Sequence, residues 1–441
     1  MPLTAPAPVA GPGTAAPPHW RGLPAAQQPP WPDPAALAAV QEELARLPAL
    51  THPADVRQAG IALADVSAAG AFLLQAGDCA EPTGAEGVAA LQGKHRILGD
   101  MAEIISDRIQ RPTVTVGRIA GQYAKPRSRP EETVGDRTLP VFRGPAVNAP
   151  AFDPAARVPD PRRMLDAYRS ARAVLDELHV MAHRSAGAGA APPARSFDGT
   201  LRAVLPGYGR TRRAERGTWR RTGLWTSHEA LLLDFEEAFV RPDPLTGEAY
   251  LLSTHLPWVG DRTRRPDGAH IALLAHVANP VAVKVGPDTR RSDLLRLCAA
   301  LDPHRRPGRL TLIARMGARA VDEVLPPLVK AVAGAGHPVV WASDPMHGNT
   351  FTAATGHKTR HMDDILAETT AFFRILHRAG QWPGGLHLEV AGDRVTECLG
   401  AGGPGSELGL RRAYRTLCDP RLNDDQAHLL ARTVADLAAR G

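Results

Sequence analysis

Cysteine is scarce. Four residues, Cys79, Cys298, Cys398 and Cys418, occur in 441, with no Cys-x-x-Cys pair. This excludes a disulfide framework of the kind that holds small secreted domains together. Aromatic residues make up only 5% of the chain, and no Lys/Arg stripe runs beside them, so a nucleic-acid surface is not indicated. No run of about 18 apolar residues is present, which leaves no membrane-spanning helix. Residues 1–6 lack the basic region and apolar run of a secretory signal. The expectation is a cytoplasmic protein that contacts neither nucleic acid nor membrane. Lysine is almost missing, with 5 residues against 47 arginines. A net charge of +6 spread over this length suits small anionic substrates better than a polyanion track.

What is present is a large apolar fraction, 44%, enough for a sizeable core. Glycine and proline contribute 41 residues each, and eleven of the prolines fall in residues 1–35. Residues 1–32 therefore read as a disordered Pro-rich arm, and 33–70 as a helical extension beginning with an amphipathic helix at 33–48. From there to residue 441, short apolar runs alternate with helical stretches. The runs are 72–77, 113–120, 223–227, 255–260, 280–286, 310–316, 338–343 and 384–390. The helical stretches include 87–108, 161–183, 293–301, 318–335, 363–379 and 425–440. Strand–helix alternation implies parallel pairing, and eight repeats imply a (β/α)8 TIM barrel. An insertion over about 150–222 separates the second and third strands. It contains an Ala/Gly/Pro-rich loop and an arginine-dense stretch at 210–221 that reads as a solvated face.

In such a barrel the C-terminal ends of the strands converge on one mouth. Here nearly all of them end in one of two chemistries. One set is cationic: Arg118, Lys125, Arg127, Arg262, Lys284 and Arg315, suited to phosphate and carboxylate oxygens. Two of the few lysines fall within it. The other set, Cys79, His347 and Glu389, offers sulfur, nitrogen and oxygen donors to a divalent metal. A single buried cysteine is usually a small core hydrophobe and a single arginine after a strand a surface ion pair. The joint occurrence carries the reading: a metal beside a phosphate site, arranged to polarise a carbonyl.

The motifs Gln75-Ala76-Gly77-Asp78-Cys79-Ala80-Glu81, Arg118-Ile119-Ala120-Gly121-Gln122-Tyr123-Ala124-Lys125-Pro126-Arg127-Ser128 and Ser227-His228-Glu229-Ala230 resemble those of type II 3-deoxy-D-arabino-heptulosonate 7-phosphate (DAHP) synthases. So do Lys284-Val285-Gly286-Pro287, Leu301-Asp302-Pro303-His304, the stretch 344–350, Val395-Thr396-Glu397-Cys398 and Cys418-Asp419-Pro420-Arg421-Leu422-Asn423. The resemblance runs from about residue 30 to the C-terminus. It implies a barrel with an N-terminal extension that condenses phosphoenolpyruvate with erythrose 4-phosphate at the head of the shikimate pathway. It implies a divalent metal, manganese or cobalt with zinc as a further option, and a homodimer or larger homo-oligomer. Matched motif by motif, the metal ligands are Cys79, His347, Glu389 and Asp419. Phosphoenolpyruvate falls to Arg118, Arg262, Lys284 and Arg315, with Trp258, Asp261 and Glu229 at the pocket. Lys125 stands between the substrates, and Arg127 and Ser128 take the phosphate of the aldose. Lys125, Glu229 and His347 are the candidate catalytic residues.

Three departures stand out. The family commonly has Arg-Gly-Asp where this chain reads Arg143-Gly144-Pro145, which removes a carboxylate and an N–H. Asp261 replaces the usual Glu. The stretch 184–222 matches poorly, so feedback control by aromatic amino acids is not expected and a copy serving secondary metabolism is. Two alternatives remain at this level: the same chemistry on a modified acceptor, as in the aminoshikimate branch, and a catalytically silent regulatory paralogue.

Overall fold

The computed structural model describes residues 20–187 and 224–440; the loop and arginine-dense stretch expected within 188–223 lie outside them, as do residues 1–19. Each of the eight apolar runs contains a strand. They are β1 (Phe72–Gly77), β2 (Thr113–Arg118), β3 (Trp225–Thr226), β4 (Trp258–Val259), β5 (Val281–Val285), β6 (Leu310–Ala314), β7 (Val340–Ser343) and β8 (Gly385–Glu389). All pair in parallel in the order β3-β2-β1-β8-β7-β6-β5-β4. The two end strands meet through a bridge between Glu229 and Trp258, and through Trp258 N donating to His228 O (3.0 Å) and Ala230 N donating to Trp258 O (2.9 Å). The barrel is closed.

Nine helices of eight or more residues among the described residues accompany it: α1 (Pro34–Arg46), α2 (Pro53–Ser67), α3 (Ala85–Ile109), α4 (Arg163–Gly187), α5 (Ala269–His276), α6 (Arg291–Leu301), α7 (Val321–Gly334), α8 (Met362–Arg378) and α9 (Asp424–Ala438). The strands read as continuous apolar runs because both their faces are buried. Phe72, Leu74, Val281, Val283, Val285, Leu310 and Leu312 join the core under the helices. The alternate positions Leu73, Val114, Val116, Trp258, Ala282, Ile313, Val340 and Ala342 fill the barrel interior. Ala59, Ala62, Leu63 and Val66 of α2 belong to that interior cluster, so this helix forms the floor of the barrel. With the floor plugged by apolar groups, chemistry is confined to the opposite mouth.

The expected disorder over 1–32 needs correction for its described part. Trp20 is buried against Leu233, Ala269 and Leu273. Pro24 O accepts from Ala269 N (3.1 Å), and the Trp31 indole donates to Asp234 (3.0 Å). Prolines rule out helix and sheet over most of this segment, yet its two tryptophans and its glutamines find fixed partners along the barrel.

Candidate active site

Register explains the centre of the mouth. Gly77 at the end of β1 lies opposite Arg118 of β2 on one side and Glu389 of β8 on the other. A Cβ at Gly77 would stand 2.5 Å from Arg118 O, and its φ is +151°, so only glycine lets the neighbours approach across it. Arg118 Nη2 then reaches Glu389 Oε1 at 3.1 Å, both groups fully buried.

Around that pair the donors collect. Cys79 Sγ and one oxygen each of Glu389 and Asp419 lie within 4.8 Å of one another. The Asp419 amide points at Cys79 Sγ (3.0 Å). His347 Nε2 is 3.1 Å from Glu389 Oε1, while its Nδ1 is 2.8 Å from Asp344 Oδ2. The Nε2 contact to Glu389 is a hydrogen bond in which Nε2 donates; with Nδ1–H held by Asp344, a metal taking the place of that Nε2 proton would meet the ring in the arrangement that metal-binding histidines adopt. A sulfur and two carboxylates on one point, with an imidazole nitrogen against one of those carboxylates, are a donor set of the kind that takes a divalent ion.

Cations press in on the same carboxylates. Arg360 Nη2 lies 2.7 Å from Glu389 Oε2, and Lys125 Nζ lies 3.2 Å from Asp419 Oδ2 and 3.8 Å from Glu389 Oε1. Lys358 Nζ is 2.8 Å from Asp419 Oδ1. Burial would raise the Glu389 carboxyl, but His347, Arg360 and Arg118 hold it well below the usual carboxylate range. Asp419 is lowered likewise, burial being outweighed by Lys125. At Lys125 burial is overcome by Cys79, Asp419 and Glu389, and its ammonium is held charged far above neutrality. Buried ion pairs of this density recover little of their desolvation cost. Their concentration at one mouth marks a site built for ligands rather than for stability.

The anion cradle sits beside the cluster. Lys284 pairs with Asp344. Burial, with Arg118 and Arg315 nearby, brings its pKa down to about 8. Arg315 is held by Asp261 (3.0 Å) and by His347 O (3.2 Å), and Asp261 also accepts from Arg264 (2.9 Å). The Arg118 guanidinium lies 5.3 Å from the Trp258 ring centre. Glu229 is almost fully buried with Oε1 lacking a hydrogen bond among the described residues, and burial raises its pKa. Arg127 touches Cys418 Sγ at 3.6 Å, next to Asp419. Arg262 and Ser128 are exposed, and among the described residues neither makes a hydrogen bond or ion pair, although the Arg262 charge is near enough to Glu229 to work against the rise of its carboxyl. They are not drawn into the buried cluster.

Several contributors went unassigned in the sequence. Asp344, Lys358 and Arg360 pair with His347, Asp419 and Glu389 respectively. His387 connects Gln75 Oε1 (2.7 Å, from Nδ1) with Arg118 Nη1 (3.2 Å, at Nε2), and Gln75 in turn donates to Ser227 Oγ (2.6 Å). This chain crosses the barrel and aims Arg118. Burial holds His387 neutral, as an acceptor for a guanidinium must be. The Glu368 carboxylate, buried on α8, accepts from Met316 N (2.7 Å), Gly317 N (2.9 Å) and Asn349 Nδ2 (2.7 Å), tying the Arg315 and His347 loops together. A lysine as rare as Lys358 and the strand-end positions of Asp344 and His387 were the available signals.

The fold and site define a barrel enzyme with a mixed-donor cluster that could hold a metal beside an anion cradle. A sequence profile described as the class-II DAHP synthetase family matches residues 15–198 and 202–435. The chain belongs to that family. A phospho-2-dehydro-3-deoxyheptonate aldolase of Streptomyces coelicolor is 41% identical over 432 residues, 95% of this chain and 96% of that protein. A probable phospho-2-dehydro-3-deoxyheptonate aldolase of Pseudomonas fluorescens is 43% identical over 405 residues, 91% of this chain and 92% of that one. Among solved structures, a phospho-2-dehydro-3-deoxyheptonate aldolase from Francisella tularensis superposes with a TM-score of 0.53 at 11% identity, covering 92% of this chain and 97% of that chain. That likeness shows the fold. Among the described residues no helix is long and apolar enough to cross a membrane.

Proposed function

We propose that this chain condenses phosphoenolpyruvate with erythrose 4-phosphate to give DAHP and inorganic phosphate, the first step of the shikimate pathway. The observation that carries the reading is the meeting of Cys79, Glu389 and Asp419, with His347 against Glu389, beside Lys284, Arg315 and Arg118 at one barrel mouth. A divalent metal, manganese or cobalt by family resemblance, is held by those four donors and supplies Lewis acidity toward the acceptor carbonyl. Arg118, Lys284 and Arg315 bind the phosphate and carboxylate of phosphoenolpyruvate, with Arg262 closing over them from the rim. Trp258 and Glu229 wall the pocket and exclude water from all but the reacting positions.

Carbon 3 of phosphoenolpyruvate forms a bond to the aldehyde carbon, and the aldehyde oxygen takes a proton. Lys125, kept charged beside Glu389 and Asp419, is the donor we assign. Water adds at carbon 2 and gives up a proton that restores Lys125; the bond from carbon 2 to the phosphate oxygen then breaks, the carbon 2 hydroxyl becomes the ketone, and its proton leaves with the phosphate. Arg127 and Ser128 receive the acceptor phosphate. Our reading keeps a cytoplasmic location, a homo-oligomeric assembly and service to secondary metabolism.

A second reading keeps this chemistry with a modified acceptor. It is favoured by the loop carrying Pro145, which abuts the Lys125 segment: Arg143 O accepts from Lys125 N (2.8 Å), and a Cβ at Gly144 would stand 2.4 Å from Tyr123 O. The test is phosphate release from purified protein with both substrates, with manganese and then with a chelator. Metal-dependent release coupled to heptulosonate formation supports the first reading. Tight binding of phosphoenolpyruvate and metal with no turnover on erythrose 4-phosphate would replace it with the second.

A further inference from the structure

Beside the metal cluster lies a pair of guanidinium groups, Arg127 and Arg143, that the protein leaves poorly compensated. Arg127 has Glu132 at 4.0 Å, but that carboxylate is committed to Arg157 at 2.5 Å. Arg143 makes no ion pair among the described residues, and its guanidinium donates only to Gln27 O (3.4 Å). Burial and the charge of Arg127 together lower its pKa, as expected for two like charges held close. Gln27 binds both partners. Its Oε1 accepts from Arg127 N (2.8 Å) while its carbonyl accepts from Arg143. It does so from a left-handed backbone conformation, φ +65°, which a non-glycine residue keeps only where its surroundings impose it. Those surroundings are present: Gln28 donates to Leu231 O (2.8 Å) and accepts from Leu233 N (3.1 Å), fixing the neighbouring residue to the loop after β3.

We infer that Arg143 is a second guanidinium for the acceptor phosphate and that Gln27 is the positioning residue that holds the Arg127–Arg143 pair. The N-terminal segment is thereby part of the acceptor site. A dianionic phosphate neutralises both arginines at once and takes two forked sets of donors. Arg127 also adjoins Cys418, the residue before Asp419, so an acceptor anchored here extends toward the candidate metal ligands. The inference rests on the reading that Arg127 receives the acceptor phosphate.

The experiment is two-substrate steady-state kinetics on full-length R127A, R143A and Q27M, the last keeping side-chain length while removing the acceptor atom. R143A is expected to raise KM for erythrose 4-phosphate by about 10- to 100-fold, the effect of one lost charge-assisted hydrogen bond. Q27M is expected to raise it about tenfold. KM for phosphoenolpyruvate should stay within about twofold in both, which also shows that the barrel has folded. If R127A raises the acceptor KM while R143A and Q27M do not, the inference fails and the reading of Arg127 stands. If R127A leaves it unchanged, that reading fails and takes the inference with it. Equal increases in both KM values would assign Gln27 and Arg143 a general structural role and overturn the inference.

Discussion

Replacing Arg421 with methionine should damage the metal cluster from beneath. Arg421 Nη1 lies 2.7 Å from Asp78 Oδ1, and its Nη2 and Nε lie 2.8 and 3.1 Å from the two oxygens of Glu397. Asp78 also pairs with Lys94. The four groups form a buried, charge-balanced chain of two cations and two carboxylates. Asp78 precedes Cys79, and Arg421 follows Asp419 by two residues, so one guanidinium ties together two donors that are 340 residues apart in sequence. Asp78 keeps Lys94 in the variant, but Glu397 loses both side-chain bonds and retains only the amides of Arg415 and Arg421. Stranding a buried carboxylate in this way costs about 3–5 kcal/mol. Loss of a group that orients metal ligands typically lowers metal affinity about 10- to 100-fold. Thermal unfolding should report the first effect and competitive chelation with manganese the second. R421K restores charge without the planar fork and should recover stability more than metal affinity. A metal dissociation constant within twofold of the parent for R421M would refute the idea that this chain positions the ligands, whatever the change in stability.

Three further outcomes follow from the geometry. Lys284 is charged below its lowered pKa of about 8 and neutral above it, so kcat/KM for phosphoenolpyruvate should fall along an alkaline limb near pH 8; a profile flat to pH 9.5 contradicts this. Leu63→Ala empties part of the apolar floor under the barrel, where Leu63 is 1% exposed. It should cost about 2–5 kcal/mol in denaturant unfolding and leave substrate KM values unchanged. Chelation should abolish turnover yet shift the thermal midpoint by less than about 5 °C, because Lys125, Lys358, Arg118 and Arg360 already neutralise the cluster's carboxylates. Collapse of the far-UV signal on chelation would show that the metal is structural.

The barrel was legible because its strands are buried on both faces. A strand of that kind is a short continuous apolar run, and eight such runs separated by helix-length chain leave few alternatives. The polar residues that terminate the runs were legible too, since parallel strands in a closed barrel carry their C-terminal ends to one mouth. Asp419 was the exception: it follows the last strand and was assigned through its motif alone. What tertiary structure decided was partnership. Nothing local to α2 says that its apolar face plugs the barrel rather than packing outside it. Nothing around Gln75 foretells His387, or around Asp78 foretells Arg421, because these contacts span 312 and 343 residues. The segment over 20–32 has no periodicity, and its proline content reads as disorder, yet it is held by single side chains meeting single partners. Periodicity records how often a residue faces the core, a property each stretch of chain carries by itself. Which buried charge meets which depends on strand register and barrel closure, and those exist only once the distant parts of the chain have come together.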